Sequence, residues 1–224
     1  MADGTVQPSF WHDKWQQQQI GFHQQSINPY LIKFLPQLSL SANAQIFVPL
    51  CGKSLDMHYL TEQGYQVLGC ELDASAIAQY LQEQQQQYTH SSDTDFNYFD
   101  APQLHLVQGD FFKLQPQQLS RINGFYDRAA LIAWPDEMRS QYAQKLAQLI
   151  PAGISGLLVT LDYPQAELSG PPFAVSDAWL QQHMATDFEI ELLQSLDVLA
   201  ENPRFVKKQV SWLNESVYLL RRKA

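Results

Sequence analysis

Ile46-Phe-Val-Pro-Leu-Cys-Gly-Lys-Ser-Leu-Asp56 is followed closely by a second apolar run, Val67-Leu-Gly-Cys-Glu-Leu-Asp73. The first run predicts a buried strand that breaks at a glycine turn, and the second predicts a strand that ends on an acid. In a doubly wound sheet the turn after the first strand passes beneath the ligand. A carboxylate roughly 20 residues further on then accepts both hydroxyls of a ribose. Gly52 and Glu71 have that separation, so the stretch predicts a nucleoside site at one end of an α/β sheet.

The same turn reads Gly-Lys-Ser, which raises a phosphate-binding loop as an alternative. Such a loop needs another glycine five positions before Gly52, so that successive backbone N–H groups wrap the phosphates, and that position is Phe47. The dinucleotide pattern G-x-G-x-x-G also fails, because Gly52 stands between Cys51 and Lys53 without its companions. A lone glycine leaves no nest for a pyrophosphate. The ligand this predicts is a nucleoside without phosphates, which favours S-adenosylmethionine over ATP or NAD. An NAD-dependent oxidoreductase is the reading that the missing second and third glycines argue against.

The 224 residues, 45% hydrophobic and 12% aromatic, suffice for one sizeable core and suggest a single domain over 1–224, with 1–40 as an N-terminal lid and helix and 41–224 as a Rossmann-like core. A net charge of -9, with no basic cluster beyond Arg221-Arg222-Lys223, argues against a nucleic-acid partner and for a small molecule. No apolar stretch of about 18 residues and no cleavable leader is evident, so no membrane partner and a cytoplasmic location are expected. No long apolar face is left unexplained, which suggests a monomer. Cys51 and Cys70 are expected to be buried fillers at the ends of neighbouring strands, neither paired nor zinc-binding.

Outward from the turn, Phe10 to His23 is aromatic, too irregular for a strand, and reads as a lid. A helix is expected after Asn28, with Pro29 in its first turn and Pro36 marking its end or a kink. Ser54 is placed to cap a helix that ends at Gly64, and a further helix is expected over Ala74 to Tyr88. Thr89 to Asp95 reads as a polar loop before a hairpin-like pair, Phe96 to Phe99 and Leu104 to Val107. A short strand over Phe125 to Asp127, a helix over Pro135 to Leu149 and an apolar strand over Gly156 to Tyr163 follow. A helix from Val175 to His183 and two antiparallel strands, Phe188 to Val198 and Ser211 to Leu220, close the chain.

Several stretches together resemble the thiopurine S-methyltransferases, in particular their bacterial branch. They are Phe10-Trp-His-x-x-Trp15, Ile20-Gly-Phe-His23, Asn28-Pro-Tyr-Leu31, Val48 to Asp56, Tyr126-Asp-Arg-Ala-Ala-Leu131, Gly156 to Thr160 and Gly170-Pro-Pro-Phe173. The resemblance runs nearly end to end. It implies a class I methyltransferase fold, a mostly parallel seven-stranded sheet with an antiparallel last strand, and S-adenosylmethionine as methyl donor. It implies S-methylation of thiopurines and other aromatic or heterocyclic thiols. Selenium or tellurium compounds are alternative acceptors, with detoxification and tellurite resistance as the associated roles; a non-catalytic S-adenosylmethionine-binding protein is the other alternative.

For the residues, Glu71 is expected to accept the ribose hydroxyls, and its bland alternative is a surface acid at a strand end. The resemblance implies that Leu50 and Gly52 meet the methionine portion through backbone, that Trp15 contacts the cofactor and that Gly109 and Asp110 lie at the adenine. Asp110 has a helix-capping alternative. Arg128, after the fourth strand, is implied in cofactor binding and in holding an acceptor thiolate; its bland alternative is a salt bridge to Asp127 or a nearby acid. The resemblance further implies Phe22 as an aromatic wall for the acceptor, and Arg204 as a substrate-binding and catalytic arginine near it. The six histidines show no metal or triad spacing and receive no role; no metal is expected.

Overall fold

The computed structural model describes residues 6–224. The chain divides into two compact units, residues 7–126 and residues 127–224 with Val6, and the division falls inside a strand. The first unit begins with helices α1 (Pro8–Gln16) and α2 (Pro29–Phe34). It continues with β1 (Gln45–Pro49), α3 (Leu55–Glu62), β2 (Gln66–Glu71), α4 (Ala74–Glu83), β3 (Thr89–Ser92), β4 (Asn97–Ala101), β5 (Leu104–Gln108) and the start of β6 (Gly124–Arg128). Its strands lie in the order β3-β4-β5-β2-β1-β6. β1 pairs in parallel with β2 and β6, and β2 with β5, whereas β4 runs antiparallel to both β3 and β5.

Local chemistry sets the helix starts. Ser54 accepts the Asp56 N–H to cap α3, Asp73 accepts from Ser75 and Ala76 to cap α4, and Asn28 accepts from Tyr30 to cap α2 ahead of Pro29. After α3 the chain reverses at Gly64, whose φ of 84° suits a residue without Cβ. Pro36 lies in a 3-10 turn, Leu35–Leu38, that continues α2: its ring cannot supply the backbone donor a longer α-helix needs. Ala76, Ile77, Tyr80 and Leu81 form the buried face of α4, and β1 and β2 are buried along nearly their whole length.

In the second unit β6 ends and α5 (Asp136–Leu149), β7 (Ser155–Asp162), α6 (Asp177–His183), β8 (Phe188–Asp197), α7 (Pro203–Lys207) and β9 (Asn214–Arg222) follow. β9 lies between β7 and β8 and is antiparallel to both. Tyr163, Leu168, Val198, Phe205, Val210 and Leu213 form a separate cluster under the chain that links β8 to β9. The fold is Rossmann-like α/β, mostly parallel with an antiparallel last strand. Nine strands are described, the expected seven together with β3 and β4.

Three expectations are corrected. Thr89–Ser92 is strand β3, because its backbone finds a partner in β4, with Thr89 opposite Asp100 and Ser92 opposite Asn97; every β3 side chain is exposed, so no apolar alternation announced it. The aromatic opening contains a helix, α1, whose buried Trp15 supplies a tertiary contact that its weak periodicity does not. Helix α4 stops at Glu83 rather than Tyr88, where Gln85 turns to a φ of 51°.

Gly69, in β2, has no room for a side chain. A Cβ there would lie 2.7 Å from the Leu106 Cδ2, 2.9 Å from the Cys51 Sγ and 3.3 Å from the Met57 Sδ. Gly69→Ala is expected to lower stability by about 1–3 kcal/mol through overpacking, read from urea unfolding; an unchanged midpoint would refute this close approach.

Candidate active site

The carboxyl ends of β1, β2 and β5 lie side by side, with Pro49 opposite Cys70 and Glu71 opposite Gln108. Parallel pairing thus brings the chain after β1, the end of β2 and the chain after β5 to one edge of the sheet, where ligands of such folds bind.

Glu71 organises this edge. One carboxylate oxygen, Oε2, accepts the Gly52 N–H at 2.8 Å, and the other, Oε1, accepts the Asp73 N–H at 2.8 Å. Its backbone oxygen accepts the Gly109 N–H at 2.9 Å, while the Cys51 N–H donates to the Cys70 carbonyl at 2.9 Å. Each carboxylate oxygen retains a further acceptor direction, enough for two hydroxyl donors. The side chain is buried, which excludes the surface-acid alternative. Burial pushes its pKa from 4.5 up to about 7, against the pull of the Asp73, Gly52 and Leu72 N–H groups. A buried carboxylate held by neutral donors gains from two more donors, so the arrangement fits a ribose.

The turn between β1 and α3 has unusual backbone. Leu50 has φ 46° and Gly52 φ 54°; the left-handed region is open to glycine at no cost but strained for leucine. Such strain persists where surrounding bonds over-determine the conformation, as the Cys51–Cys70 and Gly52–Glu71 bonds do here. The ring of Trp15 packs on Gly52: a Cβ there would meet the indole Cζ2 at 3.2 Å. Trp15 also meets Phe22 edge to face, with centroids 5.6 Å apart, and Phe22 meets Trp11 at 5.9 Å. An aromatic group from the N-terminal segment therefore stands against the turn.

Gly109 is confined by Phe96, whose Cδ1 would be 2.5 Å from an added Cβ. Asp110 realises its capping alternative: the carboxylate accepts the Phe112 N–H at 2.9 Å and starts the 3-10 turn Phe111–Lys113. One link escaped the sequence reading. His12 donates through Nδ1 to the Asp73 Oδ2 at 2.6 Å. Asp56, also unassigned, accepts from the Asn28 N–H at 2.8 Å and the Tyr126 hydroxyl at 3.0 Å, which ties α2 to α3 and β6.

Arg128 and Arg204 belong to the second unit. Arg128 ends β6, and its charge acts on Glu215, whose pKa is raised by burial and drawn back by that guanidinium. Asp127 is buried, accepts from the Tyr142 hydroxyl at 2.6 Å and the Leu131 N–H at 3.1 Å, and has its pKa pushed by burial to about 6. Arg204 is exposed on α7 and donates to the Pro171 carbonyl at 2.7 Å. The Tyr163 hydroxyl donates to the next carbonyl, that of Pro172, at 2.5 Å. The two side chains thereby brace the Gly170-Pro-Pro-Phe173 loop. Cys51 and Cys70 are free and buried, and burial raises both thiols.

This sheet with its acid-ended second strand is that of a class I S-adenosylmethionine-dependent methyltransferase. An S-adenosylmethionine-dependent methyltransferase from Anabaena variabilis superposes with a TM-score of 0.66 at 13% identity, over 98% of this chain and 97% of that one. The 1,6-didemethyltoxoflavin-N1-methyltransferase of Burkholderia thailandensis, solved with S-adenosylhomocysteine, gives 0.65 at 14% identity over 97% and 87%. Residues 6–223 match the family Thiopurine S-methyltransferase (TPMT), and the chain belongs to that family. The thiopurine S-methyltransferases of Shewanella sp. MR-4 and Shewanella pealeana are 60% and 61% identical to it over 218 residues, covering 97% of this chain and 100% of each relative.

The Glu71 pKa fixes the sign of a pH effect. A carboxyl raised on folding contributes stability below its unfolded value of 4.5, and that contribution is lost as pH rises through about 7. Over this window the stability difference between ligand-free wild type and Glu71→Gln should change by about 2–3 kcal/mol, the wild type losing ground as pH rises. Urea unfolding at a series of pH values checks this, and a constant difference would place the carboxyl at its ordinary pKa.

Proposed function

We propose that the protein transfers the methyl group of S-adenosylmethionine to the sulfur of thiopurines and other aromatic or heterocyclic thiols. Buried Glu71, bonded to the Gly52 and Asp73 amides, carries the reading, because it fits a ribose in a chain of this family. In this assignment Glu71 holds the ribose hydroxyls, and Leu50 and Gly52 offer backbone to the methionine portion. Trp15 shields the turn, Gly109 and Asp110 meet the adenine, and Arg128 completes the cofactor site. Asp110 keeps one carboxylate oxygen for this task, since the Phe112 N–H takes the other.

When bound, S-adenosylmethionine supplies an electrophilic methyl on a sulfonium. The chain has three tasks beside it. It excludes water, for which the Trp11, Trp15 and Phe22 rings are suited, because loss of charge in the transition state is favoured in a dry site. It holds the acceptor in line, with Phe22 as a flat apolar wall. It favours the thiolate, the nucleophilic form of a thiol that titrates near 8.5, by placing the Arg128 and Arg204 charges as counter-ions. No strong base is needed for such an acceptor.

Selenium or tellurium compounds are the second reading of the acceptor, as softer and larger nucleophiles accommodated by the same aromatic wall. A small-molecule acceptor accords with a net charge of -9 and the lack of a basic face in the sequence. Among the described residues no helix is long and apolar enough to cross a membrane. We infer a cytoplasmic monomer whose 224 residues work as a single methyltransferase domain.

Mass spectrometry of purified protein with S-adenosylmethionine and 6-mercaptopurine, run beside selenite, tellurite and an aromatic thiol, should yield methylated thiopurine with equimolar S-adenosylhomocysteine. Methylation of a chalcogen oxyanion alone would replace the thiol reading. Arg128→Ala should lower turnover by about tenfold at a pH one or two units below the acceptor pKa and less above it, where the thiol ionises unaided. A pH-independent loss in the same assay would remove Arg128 from thiolate stabilisation.

A further inference from the structure

His12 lies three residues before Trp15, so α1 presents the two side chains on neighbouring parts of one face. Trp15 covers Gly52, and His12 reaches Asp73. The Asp73 side chain is 7% exposed and that of His12 40%, so a half-open imidazole closes over a nearly buried carboxylate. The other Asp73 oxygen is fixed by the Ser75 N–H at 2.8 Å, the Ser75 hydroxyl and the Ala76 N–H at 3.3 Å. Hydrogen bonds from Ser75 and His12 hold Asp73 below the ordinary carboxylate range although burial acts in the opposite sense. One residue then connects this anchor to the ribose acceptor, because the Asp73 N–H donates to the Glu71 Oε1. Helix α1 therefore reaches the bond from Gly52 to Glu71 from both sides: directly at the glycine through Trp15, and at the acid through His12 and the intervening Asp73.

Within α1 only Trp15 is buried, and Gln18, just beyond the helix, turns to a φ of 54°. A nine-residue helix does not persist by its own propensity, so its contacts fix its position.

We propose that His12 is a positioning residue: its bond to Asp73 latches α1 over the cofactor turn and sets how slowly the S-adenosyl ligand leaves. The proposal rests on the cofactor site assigned above. His12 touches neither donor nor acceptor in this role. It acts through Asp73 and Trp15, slowing release while leaving the encounter rate to the open form of the segment.

Stopped-flow tryptophan fluorescence with S-adenosylhomocysteine, on the full chain, tests it. His12→Ala should raise the dissociation rate on the order of tenfold, the kinetic equivalent of one charge-assisted hydrogen bond, with a smaller change in association. His12→Gln, which keeps a side-chain N–H, should recover part of the residence time. Asp13→Ala, exposed on the same helix, should release the ligand as the wild type does. Wild-type release from a folded His12→Ala protein would overturn the latch, whatever its thermal midpoint. Hydrogen exchange of the wild type repeats the test without a variant: amides of residues 11–15 should gain protection with ligand, and unchanged exchange overturns the proposal. Absence of any binding signal in wild type and variants alike would instead remove the cofactor reading, and the latch with it.

Discussion

The carboxylate of Glu71 is the constraint from which the rest of the site follows. Its two oxygens accept the amides of Gly52 and Asp73, one in the turn after β1 and one in the turn after β2. An acid in this place binds two otherwise independent loops to each other across a parallel strand pair. Each N–H is a buried donor that would be costly to leave unmatched, so one side chain settles both turns. The cost falls on the acid itself, whose pKa rises to about 7 because burial outweighs its bonds. In the proposed assignment, ribose hydroxyls donating to the same two oxygens offset that cost.

The turn on the other side of this bond is held in a conformation that its own residues resist. Leu50 at φ 46° resembles Ala129, just beyond β6, at φ 63°. Both lie immediately after the end of a strand, where the backbone reverses from the sheet. Neither would adopt this geometry as a free peptide, since the left-handed region penalises a Cβ. The packing of Met57 and Leu60 on α3, and of Ala130, Leu131 and Ile132 after β6, supplies the compensating burial. Folding energy from apolar contacts is thus stored as backbone strain at the ends of two strands.

Much of this could be read in the chain. The helix start after Asn28, the cap at Ser54, the stop at Gly64 and the apolar runs of β1, β2 and β7 are local signals, each carried by a handful of adjacent residues. Glu71 was legible because its distance from Gly52 reflects a fixed strand-helix-strand length. Strand β3 was not, because its exposed Thr89-His-Ser-Ser92 leaves no burial pattern and owes its extended form to the ladder with β4. Nor was the bond from His12 to Asp73, whose partners stand 61 residues apart with no motif joining them.

The sequence by itself determined the order of elements, the sheet class, the glycine that admits a turn and the acid that answers it. Those are properties of residues near one another along the chain, or of the regular length of a strand-helix-strand unit. Tertiary structure alone decided which groups satisfy that acid, that Trp15 closes on Gly52 and that Arg204 braces the Pro171 carbonyl. The physical reason is that hydrogen bonds and close packing form within about 3–4 Å, and proximity on that scale between distant residues exists only once the chain has folded.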